Sequence, residues 1–237
     1  MLEFLRLRLR QGTPTSPFPG REPGFPERFR GLPVVEPAPG APPFDVGACL
    51  FAPEEGGEQA AGTVRFSQDF RMAASTRDAL RAATGRVELA GALDEKMRRL
   101  FGRSLRLRSV VAGSCGGCEA ELNAMSNVVF DMARFGIQFV ASPRHADGIV
   151  ITGVVNRNMS EALRATYEAT PGPRIVIAVG ACAIAGGPFA GSPEIAEPLG
   201  IPIDLYVPGC PPHPLTVLDG LLRLLGRLPE DRVRAAP

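Results

Sequence analysis

Several features common in other classes of protein are scarce or missing in this sequence of 237 residues. It has no tryptophan, and Lys96 is its only lysine, so arginine carries nearly all the positive charge. The formal net charge is only +1, which gives no bulk argument for binding nucleic acid. No apolar run reaches the roughly 18 residues that indicate a membrane-spanning helix. The N-terminus also lacks the apolar core and cleavage site of a secretory signal, so we expect a cytoplasmic protein.

Cysteine is infrequent too, with five in the chain, but four of them share a setting. Cys115 and Cys118 form a C-x-x-C in V-V-A-G-S-C-G-G-C-E, Cys182 follows I-V-I-A-V-G-A, and Cys210 follows D-L-Y-V-P-G. Each comes just after a strand-like run and beside a glycine. If these strands share a parallel sheet, the four thiols converge at its carboxyl edge. Four convergent thiolates suit an iron–sulfur cluster or a zinc ion.

Other interpretations of these cysteines compete with a metal site. A lone C-x-x-C is weak, and Cys182 and Cys210 could each be a small buried apolar residue. Four-cysteine zinc sites usually use two C-x-x-C pairs, so one pair with two distant singles favours a cluster. Gly116 and Gly117 would let backbone N–H groups approach the sulfurs. A flavin site is disfavoured, because the loop after the first strand lacks a Ser/Thr-rich phosphate cradle.

From residue 105 onward, strand-like and helix-like stretches alternate. Apolar runs predict strands at residues 105–112, 137–141, 148–154, 174–179 and 203–207. Amphipathic spacing predicts helices at residues 119–135, 161–170 and 215–228, the second capped by Ser160. This alternation predicts an α/β fold with a doubly wound parallel sheet.

The first hundred residues have a different character. The opening M-L-E-F-L-R-L-R-L-R alternates apolar and basic residues, which fits a short strand or the start of a helix. It could lie on a partner or membrane surface, or be a solvated terminus with one packed side. Residues 12–47 are rich in proline, so we expect extended, loop-like chain. Residues 76–100 look helical, with a break at Gly85.

Three motifs together resemble a known family. G-S-C-G-G-C-E-A-E-L, G-A-C-A-I-A-G-G and V-P-G-C-P-P-H-P-L-T resemble the 20-kDa subunit family over about residues 100–228. That family comprises the small subunit of [NiFe]-hydrogenases and the B subunit of NADH:quinone oxidoreductase. The resemblance implies a flavodoxin-like α/β domain holding one [4Fe-4S] cluster. It also implies that Cys115, Cys118, Cys182 and Cys210 are the ligands.

The first motif distinguishes two branches of the family. The quinone-reducing branch typically has two adjacent cysteines there, whereas two glycines separate Cys115 from Cys118, as in the hydrogenase branch. The chain therefore resembles most the small subunit of membrane-associated hydrogenases of the formate hydrogenlyase type. This implies an electron-transfer subunit that docks onto a large catalytic subunit of the hydrogenase or 49-kDa type. Alternatives are the B-type component of a quinone-reducing, ion-pumping NADH dehydrogenase-type complex, or a non-redox assembly scaffold.

The resemblance also implies a setting for the protein. Its other partners would be further electron-transfer and membrane subunits of the same complex. We expect no membrane span of its own and a peripheral position on the cytoplasmic face of the inner membrane, held there by those partners.

The N-terminal part resembles the two-cluster ferredoxin subunit of the same complexes. The likeness runs through F-L-R-L-R-L-R-Q-G-T-P-T-S-P-F-P and G-A-C-L-F-A-P-E-E-G-G-E-Q-A-A. The ferredoxin cysteine positions fall on Cys49, Ala52, Glu55 and Gln59, so three of four ligands are absent. We therefore expect residues 1–98 to be a degenerate, Pro/Gly-rich ferredoxin-like segment without a cluster, and residues 99–237 to be the α/β domain.

Three further residues near the cysteines carry alternative interpretations. Glu119 and Glu121 could relay protons or meet a partner, or could simply complement the dipole at a helix N-terminus. His213 could donate a hydrogen bond near the cluster, or could be a solvated loop side chain.

Overall fold

The structure is a computed structural model that describes residues 2–82, 87–196 and 200–228. In these ranges no helix has both the length and the apolar character needed to cross a bilayer.

The second half of the described chain forms a parallel sheet of five strands. These are β6 (Leu105–Val111), β7 (Ile137–Phe139), β8 (Gly148–Thr152), β9 (Ile175–Val179) and β10 (Leu205–Val207). Their order is β7-β6-β8-β9-β10, and all pairs are parallel. This is the flavodoxin-like order of a doubly wound sheet, so the predicted fold is confirmed. Every residue of β8 and β9 is buried, which explains their continuous apolar sequences.

Helices cover both faces of this sheet. They are α3 (Gly117–Ala124), α4 (Arg157–Ala169), α5 (Ala181–Ala185) and α6 (Pro214–Leu224). α3 and α6 share a core with the inner side chains of the strands on one face, whereas α4 packs through Leu163 on the other. Every residue of α6 is buried, because further chain from the N-terminal half covers its outer side.

Two predicted helices have different bounds in the structure. The predicted helix over 119–135 is wrong beyond Ala124, because the Asn127 side chain accepts hydrogen bonds from the backbone N–H groups of Val129 and Phe130. Asp131 then adopts a left-handed φ of 44° before a short 3-10 helix. The predicted start of α4 is also wrong. Asn156, not Ser160, caps it by accepting from the N–H of Met159.

The N-terminal half holds short elements. These are α1 (Leu2–Gln11), β1 (Pro33–Pro37), β2 (Phe44–Asp45), β3 (Gly57–Gln59), β4 (Gly62–Phe66), β5 (Arg81–Ala82) and α2 (Glu95–Phe101). β1, β4 and β3 form an antiparallel sheet, and β2 pairs with β5.

The predictions for this half have mixed outcomes. The opening segment is a helix, and none of its residues is buried. Most of residues 12–47 is irregular, as predicted, apart from β1 and β2. The predicted helix over 76–100 is wrong in its first part, which holds a 3-10 turn and β5, and right at α2. The break expected at Gly85 lies outside the described residues.

The two halves are packed against each other. Ala74 pairs with Tyr206 of β10 through backbone hydrogen bonds of 2.9 and 2.8 Å. A Cβ added to Gly220 of α6 would lie 2.6 Å from Cβ of Ala73. The N-terminal chain therefore extends the core along α6 and the edge strand of the sheet.

Candidate metal centre

Four cysteines lie at the carboxyl ends of three strands. Cys115 is in the turn after β6, Cys118 is in the first turn of α3, Cys182 is in the first turn of α5 after β9, and Cys210 follows β10. The N–H of Gly180 donates to the carbonyl of Val207 over 2.9 Å. This bond joins the chain after β9 to the end of β10, so the strand ends are held side by side.

Glycines allow the chain to approach the sulfurs closely. Gly180 has a φ of +89°, and a Cβ there would lie 2.6 Å from Sγ of Cys118. A Cβ on Gly187 would lie 2.6 Å from Sγ of Cys182. Since real Cβ atoms do not approach sulfur so closely, only glycine fits at these two positions. Gly180 is the glycine of the run I-V-I-A-V-G-A that precedes Cys182 in the sequence motif, whereas Gly187 was missed, although G-G at 186–187 directly follows α5.

The exposure of the four thiols differs. Cys115 and Cys210 are exposed, Cys182 is half-buried and Cys118 is buried. The site is therefore anchored in the core at α3 and opens at the surface of this chain on the side of Cys115 and Cys210.

The thiols influence one another electrostatically. Burial, the charge of Glu119 and the three other cysteines together raise the pKa of Cys118 to about 12. Burial also raises the pKa of Cys182, followed by the effects of Cys210 and Cys115. The pKa of Cys210, an exposed residue whose thiol is partly shielded from solvent, is raised first by this partial burial and then by Cys115. Four thiolates in one place repel each other, so this donor set calls for a positively charged partner.

The donor set fits an iron–sulfur cluster. In the described ranges, no group of three or more His, Cys, Asp or Glu side chains is arranged to hold a single metal ion. A cluster places iron and sulfide atoms between its thiolates, so it does not require them to meet around one ion. Soft thiolate donors on separate loops, with glycines packed against the sulfurs, suit such a group.

Glu119 ties the first cysteine turn to the sheet. The hydroxyl of Ser114 donates to one of its oxygens over 2.7 Å, and the hydroxyl of Thr152 at the end of β8 donates to the other. The carboxylate therefore joins the turn after β6, the start of α3 and β8. Glu121, on the same helix, is half-buried, and burial raises its pKa.

His213 caps α6 and lies among aromatic rings. Its Nδ1 accepts a hydrogen bond from the N–H of Leu215 over 3.2 Å. Its ring makes edge contacts with Phe25, Phe29 and Phe130 at centroid distances of 5.2 to 5.7 Å. Burial lowers its pKa to about 4. The interpretation of His213 as a solvated loop side chain is therefore wrong, and its hydrogen bond near the cluster stays a prediction.

Cys49 is buried and forms a hydrogen-bonded group with Glu55. Its thiol donates to the carboxylate of Glu55 over 3.4 Å. The N–H groups of Leu50 and Ala52 donate to the same carboxylate over 3.1 and 3.0 Å. Sequence reasoning placed Glu55 at a lost ligand position but missed this role, because backbone donors leave no residue signature.

The similarity to a known protein family covers the part of the chain that holds the cysteine motifs. Residues 115–224 match the family described as NADH ubiquinone oxidoreductase, 20 Kd subunit. The chain is 44% identical over 132 residues to a probable membrane-bound hydrogenase subunit, mbhJ, of Pyrococcus furiosus, covering 55% of this chain and 79% of the relative. It is 43% identical over 141 residues to formate hydrogenlyase subunit 7 of Escherichia coli, and this match covers 56% of this chain and 52% of the relative.

Two further similarities are to a curated protein and to a chain of a solved structure. The chain is 36% identical over 165 residues to the B subunit of NADH-quinone oxidoreductase from Desulfovibrio desulfuricans, covering 68% of this chain and 87% of the relative. A chain of the membrane-bound sulfane sulfur reductase, an archaeal respiratory membrane complex, is 34% identical with a TM-score of 0.48, and the match covers 56% of this chain and 75% of that one. These relatives are parts of oxidoreductases.

Proposed function

Because this chain belongs to the NADH ubiquinone oxidoreductase 20 Kd subunit family, we propose that it is the electron-transfer subunit of a multisubunit, hydrogenase-like oxidoreductase. The observation that carries the proposal is the convergence of Cys115, Cys118, Cys182 and Cys210 at one edge of the sheet. We assign these thiols as the ligands of one [4Fe-4S] cluster. When bound, such a cluster supplies one-electron transfer at a potential set by its surroundings.

The surrounding residues hold and shield this site. Buried Cys118 fixes one side of the site to the core, and Gly180 lets the chain lie directly on the sulfur of Cys118. Glu119 holds the first cysteine turn against β8 through Ser114 and Thr152. These contacts keep the ligand loops in place with little reorganisation when an electron arrives or leaves.

The exposed side of the site is where we expect a partner subunit to bind. Exposed Cys115 and Cys210 place the site at a surface, so a large catalytic subunit of the hydrogenase or 49-kDa type is proposed to cover it. Hydrogen or quinone chemistry would take place in that large partner. Further electron-transfer and membrane subunits would hold this chain at the cytoplasmic face of the inner membrane.

The B-type component of a quinone-reducing complex is the second candidate function. It is supported by the match that covers 87% of the Desulfovibrio relative. The two glycines between Cys115 and Cys118 favour the hydrogenase branch. Purifying the complex and identifying the large subunit separates the two, because a nickel–iron site requires two C-x-x-C pairs in that partner.

Metal analysis of anaerobically purified protein tests the cluster assignment. We expect about four irons and about four sulfides per chain, with an EPR signal on reduction. Cys182→Ser should remove most of the iron, whereas Cys49→Ser, at the buried cysteine outside the set, should leave the iron content unchanged. Zinc in place of iron, or no metal, would contradict the assignment, and eight irons would contradict a cluster-free N-terminal half.

A non-redox scaffold is the remaining alternative from the sequence. In the purified complex, Cys182→Ser should abolish electron transfer while the other subunits remain assembled. Electron transfer that survives this substitution would favour the scaffold.

A further inference from the structure

Glu55 is the centre of a compact hydrogen-bonded loop in the N-terminal half. One oxygen of its carboxylate accepts from the N–H of Leu50, and the other accepts from the N–H of Ala52 and the thiol of Cys49. An ionised carboxylate accepts at both oxygens, so these donors fit a fixed negative charge. Glu54, the preceding residue, is exposed.

This loop packs against the two strand ends that carry Cys182 and Cys210. Cys49 and Phe51 belong to a buried apolar cluster against which Ile184 and Tyr206 pack. Ile184 is in α5, two residues after Cys182, and Tyr206 is in β10, shortly before Cys210. The carboxylate of Glu55 is thus held beside the proposed centre by a core, not by a mobile side chain.

We propose that the Glu55 carboxylate is a fixed negative charge that lowers the reduction potential of the cluster assigned to the four cysteines. This inference rests on the proposed function. Reduction adds one electron, supplied from outside this chain, at the centre. A nearby negative charge disfavours that added electron, so the oxidised form is stabilised relative to the reduced form.

The electrostatics of the thiols supports this arrangement. Burial raises the pKa of Cys210, and the charges of Cys115 and then of Glu55 raise it further. The pKa of Cys49 is raised to about 12, chiefly by burial, and smaller raising effects come from Glu55 and then from Cys210. The loop and the ligand are therefore within electrostatic range of each other.

A redox titration of the loaded wild-type protein and two variants tests the proposal. Glu55→Gln removes the charge and keeps an oxygen that accepts hydrogen bonds. Glu54→Gln is the matched control, because it removes the same charge from the neighbouring exposed position. With EPR detection and redox mediators as the electron source, Glu55→Gln should raise the midpoint potential, so that the ratio of reduced to oxidised centre at the wild-type midpoint rises about threefold to tenfold. Glu54→Gln should leave it near wild type.

The outcomes separate this inference from the function on which it rests. A wild-type protein without iron contradicts the assigned cluster. Wild-type iron content with equal potentials in Glu55→Gln, Glu54→Gln and wild type overturns the role of Glu55 and leaves the cluster assignment standing.

A second pair of variants covers the case in which Glu55→Gln does not fold or load. Ala52 is half-buried on the same loop, so Ala52→Lys places a positive charge beside the carboxylate, and Ala52→Gln is its neutral control. Ala52→Lys should raise the potential above that of Ala52→Gln. Equal potentials in this pair overturn the proposal.

Discussion

At the scale of single residues, the packing of Gly180 on the sulfur of Cys118 is a tight constraint at the site. A methyl group there would lie 2.6 Å from the sulfur. Gly180→Ala should therefore displace Cys118 and lower the iron content per chain to less than about half of the wild-type value, if four ligands are needed. Iron analysis with EPR measures this loss.

Gly191 supplies the matched control for that substitution. Its φ of +81° is also left-handed, but a Cβ there would meet nothing within 4 Å. Gly191→Ala should cost about 1–2 kcal/mol of stability from backbone strain and keep its iron. Equal iron in the two variants would show that contact with the sulfur is unimportant.

His213 should make the stability depend on pH. Burial lowers its pKa from 6.5 to about 4, so between these pH values the unfolded chain binds more protons than the folded one. The free energy of unfolding should therefore decrease as the pH falls from 6.5 to 4, by about 1–2 kcal/mol after allowing for partial exposure of the ring. Above pH 6.5 this contribution is fully present.

Chemical denaturation of His213→Asn across this pH range isolates the effect. Asn can keep the cap on the N–H of Leu215 but does not titrate, so the variant should lose that part of the pH dependence. The other histidine, His145, is exposed, and His145→Asn should follow the wild-type curve. Parallel curves for wild type and His213→Asn would rule out this role.

At the scale of elements, the hydrogen bonds of Glu119 join α3 to the sheet. A glutamine at this position offers one acceptor oxygen, so only one of the two hydroxyls, of Ser114 or of Thr152, can still donate to this side chain as it does to the carboxylate. Glu119→Gln should lower the free energy of unfolding by about 1–3 kcal/mol. The measurement is equilibrium unfolding in urea of protein treated to remove metal, so that ligand binding does not contribute.

For Glu121, on the same helix, we do not expect such a loss of stability when the charge is removed. Burial raises its pKa, so its charged form is disfavoured in the folded state. Glu121→Gln removes a partly buried charge and should leave stability unchanged or slightly higher at pH 7. A loss as large as that of Glu119→Gln would mean that any charge removed from α3 is harmful.

The elements differ in how well the sequence predicts them. β8 and β9 were predicted well because strands buried on both faces have continuous apolar sequences. The end of α3 was not predicted, since Met125, Val129 and Met132 continue the helical spacing although Val129 is 40% exposed. Helical spacing alone does not show that Asn127 turns the chain.

The candidate site also has parts that the sequence predicts and parts that it does not. Its four cysteines were predictable because the ends of parallel strands meet at one edge, a property of topology. The group around Cys49 was not, because its donors include backbone N–H groups brought to Glu55 by the fold.

At the scale of the whole molecule, the N-terminal half completes the core of the sheet domain. Phe70 and Ala73 belong to the same buried cluster as α6. A chain that starts at residue 99 should therefore lack a cooperative thermal unfolding transition, because it exposes the outer face of that helix. Circular dichroism on heating measures this, and a sharp transition in a monomeric fragment would contradict it.

Removing residues 2–11 provides the control deletion. None of the residues of α1 is buried, so its loss should leave the melting temperature of the rest of the chain unchanged. The contrast between the two deletions distinguishes the packed part of the N-terminal half from the exposed helix.

The scattered origin of the four cysteines also sets an order of events during biosynthesis. The proposed ligands come from the turn after β6, from α3, from α5 and from the end of β10, which is the last strand of the sheet in the chain. A ribosome must therefore release β10, and that strand must dock, before a complete set of thiols exists. The proposed cluster could therefore be held by all four thiols only in a chain that has finished its sheet.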